Sequence, residues 1–367
     1  MTRRIVVKIG SSSIVNSDLS INKQVMISLM KSFALLKEKG IEVALVSSGA
    51  IATGMHELNL KKKPSMMSLK QACAAVGQAK LMEEYNKSAA YYDLLTGQIL
   101  VSHDDFQVRK RMLFLSNTLD EMFKNGIIPI INENDALAVE EIKVGDNDTL
   151  ASLIAPMIHA DLVILFSDVD GLYDKNPKTE KDAKLISDIY DINEVIDFGK
   201  GSNSSVGTGG MQTKIQSAIM ASSIGCDLII CNSKYIDKLV DICLGEKIGS
   251  YFHKQEKTIS SREHWIIYKT NSLGALIVDE GCKKILETSN KKVSILAKGI
   301  LRVDGSFLKD AVIDIRSEDG KVLGKGISKY NSNEIDKIKG LDSKAINELG
   351  YKYSYVIHAN DVVLFKK

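Results

Sequence analysis

Two clusters of acids and amides, Asn132-Glu133-Asn134-Asp135 and Asp146-Asn147-Asp148, flank one short connection in the middle of the chain. The first closes an apolar run, Ile127-Ile128-Pro129-Ile130-Ile131, that reads as a buried strand. The second opens a helical pattern that runs on from about Thr149. A turn and an Asp or Asn helix cap would account for about half of these residues. Carboxylates and amides are costly to bury without partners, so two such clusters around one connection point to a polar ligand between them.

Three loops are suited to phosphate. Lys8-Ile9-Gly10-Ser11-Ser12 follows the first strand and offers an ammonium beside free backbone N–H groups. Alone it is equally a solvated strand-terminal lysine. Ser47-Ser48-Gly49-Ala50 lets backbone approach closely at Gly49, although ordinary turn chemistry explains it as well. Gly207-Thr208-Gly209-Gly210-Met211-Gln212-Thr213-Lys214 places three glycines, two hydroxyls and a lysine at a helix N-terminus, the strongest phosphate cradle of the three. The competing reading is a linker with a Thr cap. No GxxxxGK[ST] occurs and no GxGxxG follows the first strand, so a P-loop ATPase and a dinucleotide-binding enzyme find no support. The HRD and DFG segments of protein kinases are absent too.

These groups have to be positioned by an alternation of strands and helices. Strands are expected over 3–9, 41–46, 95–101, 127–131, 161–166 and 226–231, with another at 249–253. Helices are expected over 22–39, 69–87, 113–125, 149–159, 211–224 and 234–244. This order predicts an α/β fold, a mainly parallel open sheet with helices on both faces. Ligands in such sheets sit beyond the carboxyl ends of the strands, where the unusual loops fall. Residues 1–253 form this domain, and 254–273 read as a polar linker. Residues 274–367 read as a small, mainly β domain, with strands near 275–278, 293–295, 312–316, 321–327 and 356–365 and helices at 332–340 and 343–349.

Composition narrows the class. At 367 residues, with 44% hydrophobic and 26% charged residues, the chain suits about two soluble domains. Its formal charge of +2 provides no basic field for nucleic acid. Over 274–367, 17 Lys and Arg face 13 Asp and Glu, too mild an excess to decide anything. Three apolar residues before Lys8 are too few for a signal-peptide core, and no run reaches transmembrane length. Five scattered cysteines without a CxxC pair suit a reducing cytoplasm and argue against zinc.

From residue 3 to about 253 the chain resembles the amino-acid kinases, and among them the branch that phosphorylates glutamate. The resemblance rests on Val7-Lys8-Ile9-Gly10-Ser11-Ser12, Ser47-Ser48-Gly49-Ala50-Ile51, Ile131-Asn132-Glu133-Asn134-Asp135 and Lys143-Val144-Gly145-Asp146-Asn147-Asp148. It continues through Ser167-Asp168-Val169-Asp170-Gly171-Leu172-Tyr173 and Gly207 to Lys214. The phosphate loops alone mark the superfamily, whereas the INEND and KVGDND segments in this order mark the glutamate branch. The tail from about 274 resembles a PUA domain, through Lys298-Gly299-Ile300 and Gly326 to Ser332. Serine stands at Ser11, Ser47 and Ser167 where the family often has threonine; the hydroxyl is kept.

The resemblance implies ATP as phosphoryl donor, magnesium on its phosphates and glutamate as acceptor. It puts Lys8 and Lys214 beside the transferred group, with Asp148 holding both. Ser48, Gly49, Asp135 and Asn147 would grip glutamate. Lys8, Gly10, Ser167, Asp168 and the run Thr208, Gly209, Gly210, Met211, Gln212, Thr213, Lys214 would hold ATP. No protein metal ligand is implied. Feedback by proline, a glutamyl phosphate reductase as partner and a homo-oligomer are further expectations, with no membrane and no RNA bound by the tail. The chemistry agrees: a glutamate side chain with pKa near 4.3 is already ionised at neutral pH and needs no general base, and none of the six histidines falls in a motif. An aspartate or acetylglutamate kinase, an RNA-binding or RNA-modifying protein and a catalytically silent amino-acid sensor are the rivals. The near-neutral charge and the presence of both lysines and Asp148 weigh against the last two.

Overall fold

Strand β1, Arg3–Ile9, carries Ile5, Val6 and Val7 with no exposed surface at all. Successive side chains on a strand point to opposite faces, so both faces of β1 are covered. The structure is a computed structural model that describes residues 3–365 apart from 103–104, 107, 138–145, 178, 196–209, 257–259, 269–271 and 290–291. It divides into two compact units, Met1–Thr258 and Ile259–Lys367.

In the first unit the described strands after β1 are β2 (Ile41–Val46), β3 (Leu95–Val101), β4 (Ile127–Glu133), β5 (Leu162–Ser167), β6 (Asp188–Ile189), β7 (Asp227–Asn232) and β8 (Ser250–Phe252). They form one sheet in the order β3-β4-β2-β1-β5-β7-β8-β6. Every pairing is parallel except β7 with β8. Helix Lys23–Glu38, capped by Asn22, turns Met26, Leu29, Phe33 and Leu36 onto Ile5, Val7 and Ile9. Helix Asn147–Ile154 packs against β1, β2, β4 and β5 and covers the other face, with Leu150, Ala151 and Ile154 buried. The chain leaves β1 for β2 on one side and returns later to β5 on the other. Its carboxyl end is therefore the switch point of the sheet, where a ligand crevice opens.

The alternation matches the sequence expectation, with several differences in this unit. Ser11–Ile14, expected as loop, is one helical turn, and Ala50–Glu57 is a helix that the sequence did not signal. The last strand, β8, turns antiparallel to β7. Expected helix 149–159 ends at Ile154 and continues as a 3-10 turn, Ala155–Met157, where Pro156 cannot donate to the ladder. Among the described residues no helix is long and apolar enough to cross a membrane.

The second unit is a six-stranded sheet among its described residues. Its strands are β9 (Ala275–Val278), β10 (Ile295–Leu296), β11 (Ile300–Asp304), β12 (Val312–Ser317), β13 (Val322–Ser328) and β14 (Tyr355–Leu364), in the order β10-β14-β13-β12-β9-β11. Only β9 and β12 pair in parallel. Leu276, Ile313, Ile315, Ile335, Ile346 and Ile357 fill its core. Two helices were not expected. Glu280–Thr288 starts on Asp279, which caps Cys282 N–H. Ser261–Tyr268 falls inside the expected linker, buries Trp265 and Ile266 and packs on β13 and β14. Its Arg262 pairs with the buried Asp361, so the polar residues that suggested a linker serve this packing.

Candidate functional site

Lys8 is the penultimate residue of β1 and points away from the core cluster that its neighbours Val7 and Ile9 join. Its Nζ lies 2.7 Å from Asp148 Oδ1. Lys214 Nζ donates to the other oxygen, Asp148 Oδ2, at 2.9 Å. The Lys8 contact, at 2.7 Å, is a buried ion pair. Asp148 is 1% exposed, Lys8 8% and Lys214 5%. One carboxylate thus spans two ammonium groups, and their Nζ atoms are held within its reach of one another.

Two helices bring this about. Asp148 and Lys214 each stand in the first turn of a helix, Asn147–Ile154 and Met211–Ser223. One turn further along, Ser152 Oγ donates to Ser217 O at 3.0 Å, so the helices run side by side in the same direction. Both N-termini, the positive ends of their dipoles, then face the same space. A carboxylate in a first turn is favoured by that dipole and a lysine is not, so Lys214 depends on Asp148. Burial works to raise the Asp148 pKa, but the charges of Lys8 and Lys214 outweigh it and hold the carboxyl below its ordinary value.

Asn147 ties the ends of β2 and β4 together. Its Nδ2 donates to Ser47 O at 2.6 Å, Ser48 Oγ at 2.7 Å and Asn132 Oδ1 at 3.1 Å, three acceptors sharing two hydrogens. Asn132, 2% exposed at the end of β4, passes its own Nδ2 to Gln78 Oε1 at 2.9 Å, and Gln78 Nε2 donates to Gln98 Oε1 at 3.0 Å. Gly49 sits at φ +97 at the head of helix Ala50–Glu57, a conformation that fits glycine. Asp135 lines an open cavity of 280 Å³ together with Ala50, Gln78, Gln98 and Glu133.

On the other side of β1, Ser167 ends β5 in register with Asn232 at the end of β7. Ser167 Oγ donates to Asp168 Oδ1 at 3.0 Å, and Asn232 Nδ2 reaches Asp168 O at 3.4 Å. Gly10 lies close to this edge: a Cβ there would stand 3.6 Å from Lys8 Nζ and 3.9 Å from Phe166 O. Gly210 precedes helix Met211–Ser223 with no side-chain cap. Thr213 Oγ1 donates back to Gly210 O at 2.8 Å, Met211 is half-buried and Gln212 is exposed. Thr208 and Gly209, like 143–145 of the KVGDND segment, lie outside the described residues.

The structure therefore gathers Lys8, Asp148 and Lys214 at one point, with Ser48, Gly49, Asn147 and Asp135 on the β2–β4 side and Gly10, Ser167 and Asp168 toward β5. Sequence reasoning passed over Asp146. Its Oδ1 caps Thr149 N–H at 3.0 Å, while Oδ2 is buried with no hydrogen-bond partner among the described residues. A buried acceptor of this kind beside Asn147 can take a hydrogen bond from water or from a ligand. The signal was present, since Asp146 belongs to the second acidic cluster. The Asn132–Gln78–Gln98 relay had no sequence signal. Among the described residues no three His, Cys, Asp or Glu side chains converge as metal ligands.

Residues 3–232 match the model of the amino acid kinase family, and residues 274–349 match that of the PUA domain. A glutamate 5-kinase of Caldanaerobacter subterraneus subsp. tengcongensis is 42% identical over 367 residues, covering 99% of this chain and 98% of the relative. One of Streptococcus sanguinis is 40% identical over 362 residues, covering 98% and 95%. In fold, the carbamate kinase of Giardia lamblia bound to AMP-PNP is similar with a TM-score of 0.51 at 16% identity, over 69% of this chain and 99% of that one.

Proposed function

The chain belongs to the amino acid kinase family as one of its glutamate 5-kinases with a C-terminal PUA domain, and we propose that Lys8, Asp148 and Lys214 carry its phosphoryl transfer. The activity is ATP-dependent: the γ-phosphate passes to the side-chain carboxylate of L-glutamate, giving L-glutamyl 5-phosphate and ADP in the first step of proline biosynthesis. The observation that carries the assignment of residues is the single buried carboxylate between two lysines at the head of two helices.

A carboxylate oxygen of glutamate forms the new bond to the γ-phosphorus as the bond to the ADP oxygen breaks. The nucleophile is ionised at neutral pH, so no proton has to be removed. The obstacle is the approach of two anions and the charge on the transferred group. Asp148 keeps the two ammoniums from repelling each other and leaves the triad a net positive charge. Lys8 and Lys214 then offer fixed donors to the phosphoryl oxygens, in a site whose helix N-termini add to the same field. Such preorganised donors need no reorientation during transfer, and alignment of the two reactants supplies about 7–11 kcal/mol more.

Ser48, Gly49, Asn147 and Asp135 hold glutamate in this reading. Asp135 is suited to its α-ammonium, and the orphan oxygen of Asp146 offers a second acceptor. Gly10, Ser167, Asp168 and Thr208 to Lys214 hold ATP. Magnesium fits as a companion of the nucleotide, because two lysines and no converging acid cluster among the described residues favour phosphate oxygens over a protein cage as its ligands. Residues 1–253 form the catalytic domain in this account and 274–367 the PUA domain, for which no RNA partner is expected. The enzyme works in the cytoplasm as a homo-oligomer. Proline competes near Asp135 and Asn147, and a reductase consumes the labile product.

Incubation with ATP, magnesium and each candidate acid, with hydroxylamine to trap acyl phosphate, tests the acceptor. Hydroxamate is expected with glutamate and not with aspartate or acetylglutamate. Trapping with another acid in preference to glutamate overturns the acceptor assignment, and unchanged activity under excess proline removes the feedback.

A further inference from the structure

Helix Met67–Ala90 contributes nothing to the Lys8–Asp148–Lys214 contacts, yet it touches the acceptor-side loops at three points. At the first, two backbones are in contact. A Cβ on Gly77 would stand 1.9 Å from Ala50 O and 2.4 Å from Gly54 N, and one on Gly54 would stand 1.8 Å from Cys73 O. Ala50 and Gly54 are four residues apart, as are Cys73 and Gly77, so each pair shares one helix face and the two faces meet. At the second, Gln78 accepts the hydrogen bond of Asn132. At the third, two turns beyond Gly77, the fully buried Tyr85 hydroxyl lies 2.8 Å from Ser47 Oγ. Ser47 Oγ is also 3.2 Å from Ser48 O, so the hydroxyl pair and the loop backbone share one hydrogen-bonded cluster.

We propose that Gly77 and Tyr85 are positioning residues for acceptor binding: together they fix the Ser47–Ala50 loop against a long helix and so set the place of Ser48 and Gly49. This rests on the reading that Ser48 and Gly49 hold glutamate. The missing side chain of Gly77 lets helix Ala50–Glu57 come down to backbone contact, and the Tyr85 hydroxyl stops the loop from rotating about it. Ser47 is 2% exposed and Tyr85 has no exposed surface, so water cannot replace the bond if either partner is lost. Neither residue reaches the lysines, so the nucleotide side of the site is untouched.

Four variants of the full chain decide this, with glutamate varied at saturating ATP and ATP varied at saturating glutamate. Tyr85→Phe is expected to raise the glutamate KM about fivefold, the worth of one neutral hydrogen bond, with kcat and the ATP KM unchanged. Gly77→Ala must open its contact from 1.9 Å to the ordinary 3.4 Å. A displacement of that size is expected to cut kcat/KM for glutamate about 10²-fold. Val76→Ala, on the solvent-facing side of the same helix, is expected to leave all constants unchanged. Wild-type glutamate KM in Tyr85→Phe, with any loss confined to the active fraction, overturns the proposal, and this holds even where Gly77→Ala fails to fold. Ser48→Ala separates the two readings. A raised glutamate KM there with a wild-type KM in Tyr85→Phe overturns the positioning role alone, and a wild-type KM in both overturns the acceptor site with it.

Discussion

Replacing Asp148 by Asn keeps the side-chain volume and removes the one negative charge between Lys8 and Lys214. Their Nζ atoms lie 2.7 and 2.9 Å from its oxygens, and the carboxylate is 1% exposed. Breaking a buried pair by removing one partner costs about 3–5 kcal/mol. The effect on turnover is larger than on folding. With the carboxylate gone the two ammoniums repel, their separation is no longer set, and kcat is expected to fall roughly 10²–10³-fold, as for loss of an oxyanion donor. The pH dependence carries a second signature. The folded pKa of Asp148 lies below its ordinary 3.8, so on acidification the unfolded chain takes up this proton before the folded one does. The stabilisation is therefore fully present above that value and is lost as pH falls below it, through the depressed folded pKa. Urea unfolding of both proteins across the acid range should show a stability gap, constant near neutrality, that closes toward the acid end. Hydroxamate formation measures turnover. A variant that turns over within about threefold of the wild type refutes the argument, since a single lost donor already costs more.

Lys214→Ala should lower kcat by roughly 10²-fold or more with the fold intact, because Asp148 keeps Lys8 as partner; near-normal turnover would remove Lys214 from the mechanism. Asp361, buried in the second unit, pairs with Arg262 and Lys329, and its replacement by Ala removes both ion pairs at once. That should destabilise the unit by about 3 kcal/mol, and the fluorescence of the single, buried Trp265 in the adjoining helix reports it; a transition at the wild-type denaturant concentration refutes the pairing. Burial pushes the Cys243 thiol up to about 12 and Cys282 to about 11, and raises Cys226 and Cys231 as well. A thiol reagent at mildly alkaline pH should therefore label the native chain slowly and the unfolded chain completely. Rapid labelling of several native thiols contradicts that burial.

The strands and long helices were legible because each carries its own period. Helix Lys23–Glu38 buries Met26, Leu29, Met30, Phe33 and Leu36 at steps of three and four, and the strands of the first unit are near-continuous apolar runs, as a sheet covered on both faces requires. Helix Ala50–Glu57 was not legible. Its sequence of small residues, with Gly54 inside, has little helical preference of its own. It forms because Gly54 and Gly77 let it lie backbone to backbone on a helix that is stable by length, a tertiary cause without a local sign. Helix Ser261–Tyr268 was hidden in another way. Arg262, Glu263 and the residues around them look like linker, and the helix is held by an apolar pair and by an ion pair to Asp361, far along the chain.

The candidate site divides along the same line. The loops were legible because each interrupts an apolar strand with groups that cannot be buried alone, and parallel sheets put all such ends on one side. What brings particular residues together was not. Asp148 and Lys214, 66 residues apart, meet because two helices run in the same direction with their first turns level. Lys8 reaches the same carboxylate because β1 lies between β2 and β5, an order that alternation alone does not specify. The amides show the limit most clearly. Asn132 and Asn147 belonged to conspicuous clusters, but the Gln78 and Gln98 that complete their hydrogen bonds come from a helix and an edge strand where nothing sets these two glutamines apart from the other polar residues. A polar residue in an apolar strand end announces that it needs a partner, and only the packing of the whole sheet says which one it finds.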